Sequence, residues 1–255
     1  MQVACPQRSG PGRGISHGLP MIYVLSDIHG NEGRFDSILK QIDLQPSDTL
    51  YILGDVIDRH SGGIRILQRI MAMPGVKMLL GNHEYMMLRA LGCPYDDYAD
   101  TGTALEHWYR NGGQVTHRNL NLLPEPARAE ILDYLHALPL YFDITVNTKP
   151  YKLVHAAPLE MFDPEGAKYQ NPVHYAVWKR LEGSDVLPGE YTLVFGHTPT
   201  RHFQDHFPMQ IWTGSRRIGI DCGSGYPETR PEGRLACLRL DDGRVFYSEE
   251  PIIME

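Results

Sequence analysis

The chain has 255 residues, of which 42% are hydrophobic and 22% charged, and its net charge is -7. A chain of this length and apolar content buries a sizeable core without disulfides, which excludes a largely disordered protein. The acidic balance argues against a broad basic face for nucleic acid, and the apolar runs are far shorter than the ~20 residues of a membrane span.

The four cysteines lie far apart and form no CxxC pair. This spacing is typical of reduced thiols in the cytoplasm rather than of a disulfide framework or a zinc knuckle. No apolar segment near the start has the form of a secretory signal. We therefore expect a soluble cytoplasmic protein with no nucleic-acid or membrane partner, and the sequence leaves monomer and weak dimer open.

Residues 1–20 differ in composition from the rest of the chain, because glycine and proline interrupt any periodic pattern there. We expect a flexible N-terminal tail over 1–20 and a single domain over 21–255. No internal repeat divides that domain.

Five apolar runs of strand length follow the tail, and they are rich in β-branched and aromatic residues. Such near-continuous runs are typical of strands buried on both faces. Between the first three runs, apolar residues recur at the spacing of amphipathic helices, so the order β-α-β-α-β predicts a mostly parallel sheet and an α/β fold. The runs are 21–25, 49–53, 76–80, 151–154 and 191–195.

Residues 92–150 break this alternation. A polar stretch leads to Trp108, and a helical pattern follows over 127–135, which predicts a helical insertion or cap over one end of the sheet. Short apolar runs in the last quarter of the chain predict antiparallel strands, with a turn at 241–243. These runs lie near 209–212, 217–220, 234–240 and 244–247.

Each of the five predicted strands ends at polar side chains of a type that binds metals. Because sites in open α/β sheets form beyond the carboxyl ends of the strands, we expect these side chains to meet. Carboxylate, imidazole and amide ligands suit borderline or hard divalent ions, and no thiolate is present to select a soft ion. The predicted metal-binding residues are Asp27, His29, Asp55, Asn82, His155 and His197.

The residues around these positions form blocks that resemble the signature of the phosphoprotein phosphatase type of metallophosphoesterase. The resemblance covers roughly residues 21–248 and is strongest to the small bacterial and phage lambda-like serine/threonine protein phosphatases. It implies the calcineurin-like fold, with two mixed β-sheets in a sandwich flanked by helices. The blocks are Asp27-Ile28-His29, Gly54-Asp55-Val56-Ile57-Asp58-Arg59, Gly81-Asn82-His83-Glu84, His155 and Gly196-His197.

The resemblance also implies how the ligands divide between two metal ions. Asp27, His29 and Asp55 would hold the first ion. The second would be held by Asp55, which bridges, together with Asn82, His155 and His197. Mn²⁺ is the expected ion, and iron and zinc are alternatives. A hydroxide between the two ions would attack the phosphorus in line.

Four further residues acquire roles through the same resemblance. Arg59 and Arg180 would bind the phosphate, since a bidentate guanidinium matches phosphate oxygens and the charges of metals, aspartates, hydroxide and substrate leave a negative excess. His83 would protonate the leaving oxygen, and Asp58 would orient that histidine and keep it charged.

The expected activity is hydrolysis of phosphoserine and phosphothreonine in phosphoproteins or phosphopeptides. The first alternative is a symmetrical dinucleoside polyphosphate hydrolase, whose members usually carry Ala in place of Asp58 and Asp in place of Glu84. A broad phosphatase for phosphotyrosine or small phosphate esters is a second alternative, because fold and metals do not choose the substrate. A non-catalytic binding protein would have lost a ligand, and none is missing.

Overall fold

A computed structural model of the chain describes residues 19–93, 101–166, 168, 171–207, 209–227 and 232–249. The predicted tail at 1–20 lies outside these residues except for its last two positions. In the described part of the chain, no helix is long and apolar enough to span a membrane.

The first sheet contains the three N-terminal strands in parallel, as their alternation with helices predicts. β1 (Ile22–Leu25) pairs with β2 (Thr49–Ile52), and β2 pairs with β3 (Val76–Met78). β9 (Ala236–Arg239) and β10 (Val245–Tyr247) extend the other edge in antiparallel fashion, giving the order β10-β9-β1-β2-β3.

The second sheet is mixed and has the order β4-β5-β6-β8-β7. β5 (Lys149–Val154), β6 (Thr192–Phe195) and β8 (Arg217–Gly219) run parallel to one another. β4 (Tyr141–Val146) and β7 (Trp212–Gly214) form the antiparallel edges.

The two sheets pack face to face, because alternate residues of their strands form one apolar layer between them. Val24 of β1, Leu153 of β5, Val194 of β6 and Leu238 of β9 belong to this layer. The outer face of the first sheet packs on helices α1 (Glu32–Ile42), α2 (Gly63–Ala72) and α3 (Asn82–Ala90). The fold is therefore the predicted α/β sandwich of two mixed sheets flanked by helices.

The predicted insertion at 92–150 contains three helices and then departs from the prediction. α4 (Thr101–Arg110), α5 (Gln114–Asn121) and α6 (Glu125–His136) are helical as expected. Residues 141–150 instead form β4 and the start of β5. β4 differs from the predicted strands because it is an edge strand that alternates exposed and half-buried positions, and it lacks the continuous apolar run of a strand buried on both faces.

On the outer face of the second sheet, α7 (Pro172–Trp178) packs its Tyr175 against Leu193 and Phe195 of β6. Two short 3-10 turns, Leu159–Met161 and Thr200–His202, follow β5 and β6. The carboxyl ends of β1, β2, β5 and β6 consequently meet at one end of the sandwich, and that is where the polar blocks lie.

Candidate active site

The loop after β1 and the loop after β2 are tied together by backbone hydrogen bonds. The Asp27 N–H donates to the Gly54 carbonyl at 3.1 Å, and the His29 N–H donates to the Asp55 carbonyl at 2.9 Å. Asp27, His29 and Asp55 all adopt positive φ angles of 52° to 56°. These tight turns direct three side chains from two neighbouring strands into one buried space.

The other three predicted ligands reach the same space from different elements. Asn82 is the first residue of α3, His155 follows β5, and His197 follows β6. The most exposed of the six predicted ligands, His197, is only 8% exposed. All six predicted metal ligands therefore lie together, although the two sheets supply them from distant parts of the chain.

Asp55 lies at the centre of this cluster. Its Oδ2 is 3.6 Å from Nε2 of His29, and its Oδ1 is 3.5 Å from Nε2 of His155. Asp27 approaches more loosely, with Oδ1 at 4.0 Å from Nε2 of His29. A carboxylate with each oxygen facing a different histidine is suited to bridge two cations.

The hydrogen bonds of the histidines determine which ring nitrogens face the centre. Nδ1 of His155 donates to the Leu53 carbonyl at 2.7 Å, and Nε2 of His197 donates to the Trp178 carbonyl at 3.2 Å. The opposite nitrogen of each ring then carries a lone pair, and each lies 2.9 Å from Oδ1 of Asn82. Lone pairs that face one another are stable when a cation lies among them, so this donor set fits a metal ion.

The electrostatics of the cluster agree with that fit. Burial, with help from Arg59, lowers the pKa of His29 well below its ordinary value, and burial lowers the pKa of His197 to about 3. Burial and the charge of Asp55 raise the pKa of Asp27 to about 7. Neutral imidazoles are the form that binds metals, and the carboxylic acid must lose its proton to do so.

His83 belongs to the same cluster but differs from the other histidines in its partners. Its Nδ1 lies 2.6 Å from Oδ2 of Asp58, and its Nε2 lies 3.8 Å from Oδ2 of Asp55. Burial opposes the charged imidazolium, but Asp55 and the hydrogen bond with Asp58 outweigh it and raise the pKa of His83. Distance alone also groups His83 with His29 and Asp55 as metal donors. Its hydrogen bond with Asp58 and its raised pKa distinguish it from His29, whose pKa is lowered.

The Asp58–His83 pair is held by the insertion. The indole N–H of Trp108, on α4, donates to Oδ2 of Asp58 at 2.8 Å, and the Asp58 N–H donates to Oγ1 of Thr116, on α5, at 2.9 Å. Trp108 is fully buried. Helices α4 and α5 of the insertion therefore hold Asp58 in place through these two hydrogen bonds.

The profile of the calcineurin-like phosphoesterases matches residues 20–218 of the chain. This range contains every block described above. The chain belongs to the calcineurin-like phosphoesterase family.

Relatives in this calcineurin-like phosphoesterase family carry two different named activities. A symmetrical bis(5'-nucleosyl)-tetraphosphatase of Paracidovorax citrulli is 27% identical over 90% of this chain and 76% of its own length. Serine/threonine-protein phosphatase 2 of Escherichia coli is 29% identical over 80% of this chain and 92% of its own length. The family resemblance read from the sequence is therefore confirmed, and the reaction class is phosphoester hydrolysis.

A solved metallophosphoesterase from Sphaerobacter thermophilus has the same fold. The two superpose with a TM-score of 0.55 at 18% identity, covering 91% of this chain and 89% of that one. At this identity the likeness concerns the fold and not the substrate.

The cluster of six predicted metal ligands opens into a cleft of about 310 Å³. Both predicted phosphate-binding arginines, Arg59 and Arg180, line it. Nη2 of Arg59 lies 3.3 Å from Nε2 of His83, so guanidinium and imidazole face the same space. The cleft therefore connects the buried predicted ligands with the exposed side chains of these two arginines.

Seven residues that line this cleft are not among the site residues predicted from the sequence: Asn111, Trp178, Pro199, Arg201, His202, Asp221 and Tyr226. Asp221 follows β8, and burial together with the charge of Asp27 raises its pKa to about 8. Its position after an apolar strand is the same sequence signal that predicts the six metal ligands. Asn111 and Arg201 have no such signal, because loops and a 3-10 turn supply them.

Glu84 stabilises the phosphoesterase loop that carries Asp55. Its carboxylate accepts the backbone N–H groups of Asp55, Val56, Ile57 and Gly81 at 2.8 to 3.3 Å. Burial and Asp55 raise the pKa of this completely buried acid to about 7. An aspartate, shorter by one methylene, would not span the same four donors from the first turn of α3.

Proposed function

We propose that this calcineurin-like phosphoesterase removes phosphate from phosphoserine and phosphothreonine in proteins. Asp27, His29 and Asp55 would hold one divalent ion. Asp55, Asn82, His155 and His197 would hold a second. Mn²⁺ is the proposed ion, with iron and zinc as alternatives, since the buried donor set of carboxylate, imidazole and amide suits all three. When bound, the ions supply Lewis-acid polarisation of the phosphoryl group and lower the pKa of coordinated water.

The arginines of the cleft bind and orient the phosphate in this proposal. Arg59 and Arg180 are both exposed at the cleft, and a guanidinium donates two parallel hydrogen bonds to phosphate oxygens. Arg59 also lies next to His83, which brings a bound phosphate close to the proton that its ester oxygen must receive.

The observation that carries the choice of substrate is the Asp58–His83 pair, with its 2.6 Å separation and raised histidine pKa. Serine and threonine leave as alkoxides, which are strongly basic, so a proton donated in the transition state accelerates their departure by about 10² to 10⁴. A buried histidine whose pKa is raised by neighbouring carboxylates is suited to this task.

The second candidate function is symmetrical hydrolysis of a dinucleoside polyphosphate, the activity named for the Paracidovorax citrulli relative. That cleavage releases a nucleoside diphosphate, whose terminal oxygen is far less basic than an alkoxide. Such a leaving group departs readily without a proton. The Asp58–His83 pair, in which the carboxylate raises the pKa of the imidazole, therefore favours a phosphomonoester substrate over a dinucleotide.

One assay panel on Mn²⁺-loaded protein tests the proposal. It compares phosphoserine, phosphothreonine and phosphotyrosine peptides with a chromogenic monoester and diadenosine tetraphosphate. We expect the highest kcat/KM for the phosphoserine and phosphothreonine peptides. A large preference for diadenosine tetraphosphate would overturn the proposal, and equal rates on all monoesters would favour the broad phosphatase.

A further inference from the structure

The cleft contains one more arginine than the proposed phosphate site uses. Arg59, Arg180 and Arg201 all line it, and all three are exposed. Within the described part of the chain, none of these three guanidinium groups forms an ion pair with a carboxylate. Unpaired guanidinium groups that share one cleft favour an anionic ligand with more than one acidic group.

Arg201 is held in place by an aromatic ring. It lies in the 3-10 turn Thr200–His202, and its guanidinium carbon is 5.1 Å above the centroid of Tyr226. The Thr200 N–H donates to the Asp221 carbonyl at 2.9 Å, which ties this turn to the loop that carries Tyr226. A guanidinium that rests on a ring loses less side-chain freedom when it binds an anion.

The groups next to Arg201 leave its charge available. The carboxylates that line the cleft in the described residues are Asp27, Asp55 and Asp221. The first two lie among the metal donors, and Oδ1 of Asp221 accepts the Gly223 N–H at 2.9 Å. Arg201 therefore lines the cleft as an exposed cation that forms no ion pair with a carboxylate of the described residues.

We propose that Arg201 binds a carboxylate side chain of the substrate, one or two residues away from the phosphorylated residue. The enzyme then prefers phosphorylation sites with an acidic neighbour. This inference rests on the proposed function, because it assigns the second anion to a peptide. Its chemistry is a charge-assisted hydrogen bond between guanidinium and carboxylate at the mouth of the cleft.

Phosphothreonine peptides that differ at one flanking position test the inference. The flanking residue is Glu, Gln or Lys, and kcat/KM is measured for the Mn²⁺-loaded full chain. We expect the native protein to prefer the Glu peptide over the Gln peptide by about tenfold, as one partly exposed charge-assisted contact allows. Arg201→Gln should reduce this ratio to near one, Arg201→Lys should restore part of it, and Arg201→Glu should favour the Lys peptide.

Arg244→Gln is the matched control. Arg244 is also exposed and also lies over an aromatic ring, Phe246, at 4.8 Å, but it does not line the cleft. This variant should keep the native Glu-to-Gln ratio. Higher salt should lower the ratio in the native protein, since the contact is near solvent.

The outcomes separate this inference from the proposed function. Phosphopeptide hydrolysis with no preference for Glu, or a preference that Arg201→Gln leaves unchanged, would overturn the role of Arg201 and leave the phosphatase proposal intact. Preferred hydrolysis of diadenosine tetraphosphate that falls in Arg201→Gln would overturn both, because the second anion would then be a phosphate of a dinucleotide.

Discussion

Six of the ten candidate site residues adopt the left-handed backbone conformation, which costs non-glycine residues about 1–3 kcal/mol each. The loops stabilise this arrangement with hydrogen bonds such as that from the Arg59 N–H to the Gly112 carbonyl. Aspartate tolerates the left-handed region better than most residues, which suits three of the six positions. The six are Asp27, His29, Asp55, Asp58, Arg59 and His197.

The proposed role of His83 as a proton donor gives a prediction at the residue scale. His83→Asn should lower kcat on a phosphothreonine peptide by about 10² to 10⁴, because the alkoxide then leaves unprotonated. The loss should be much smaller for a nitrophenyl ester, whose leaving group is weakly basic. Bound metal, measured by elemental analysis, should stay at the native level. Equal losses on both esters would contradict the general-acid role.

The raised pKa of Asp27, about 7, predicts that metal binding releases a proton. Below pH 7 the acid is protonated in the metal-free protein and must ionise to bind the ion, so binding weakens as the pH falls. His29 and His197, whose pKa values are lowered, are already neutral at pH 6 and release none. Calorimetry in buffers of different ionisation enthalpy should find about one more proton released per protein at pH 6 than near pH 9, because Asp27 is already ionised at pH 9. Equal proton release at pH 6 and pH 9 would contradict the ionisation of Asp27 on metal binding.

The clustering of the six proposed metal ligands could be predicted at the residue scale, because five apolar runs place them at strand ends. The contacts of Glu84 and Trp108 could not be predicted, since each depends on a partner far along the chain. The Trp108 indole reaches Asp58 across 50 positions. No local pattern encodes a contact of that kind.

At the scale of elements, the helices of the insertion position the proposed acid. Trp108 on α4 gives Asp58 its second hydrogen bond, at 2.8 Å, and the Asn111 turn after α4 lines the cleft. The sequence predicts the helices of the insertion but not the strand β4 at its other end. The helical spacing around α6 predicts that helix, whereas β4 has no continuous apolar run and its strand signal is only the alternation of Phe142, Ile144 and Val146.

This support predicts the effect of Trp108→Phe. The variant keeps an apolar ring but removes the N–H that holds Asp58, so kcat on a phosphothreonine peptide should fall by about tenfold, a loss typical of one buried hydrogen bond to a charged group. The basic limb of the kcat–pH profile should also shift, because Asp58 helps to raise the pKa of the proposed acid His83. Trp212→Phe is the control, since Trp212 stacks on Phe203 on the second sheet and does not line the cleft. An unchanged pH profile in Trp108→Phe would contradict the positioning role.

At the scale of the whole molecule, the proposed metal centre depends on the packing of the two sheets. The first sheet and its loops supply Asp27, His29, Asp55 and Asn82, and the second supplies His155 and His197. The apolar layer between the sheets, with Leu53, Leu153 and Val194, holds the two halves in register. Sheet topology brings positions 170 residues apart into contact, as the hydrogen bond from His197 to Asp27 shows.

This shared construction predicts that residues 21–255 unfold as one domain and that metal stabilises both sheets together. The ions bind only when the two sheets are packed, so Mn²⁺ at a hundred times its Kd should stabilise the fold by about 2.7 kcal/mol. Calorimetry and circular dichroism should show one transition that moves as a whole to higher Tm with Mn²⁺ and returns with a chelator. Asp55→Asn, which removes the central carboxylate, should lose most of this shift. A second transition that Mn²⁺ leaves in place would show that the sheets fold separately and would contradict the single domain.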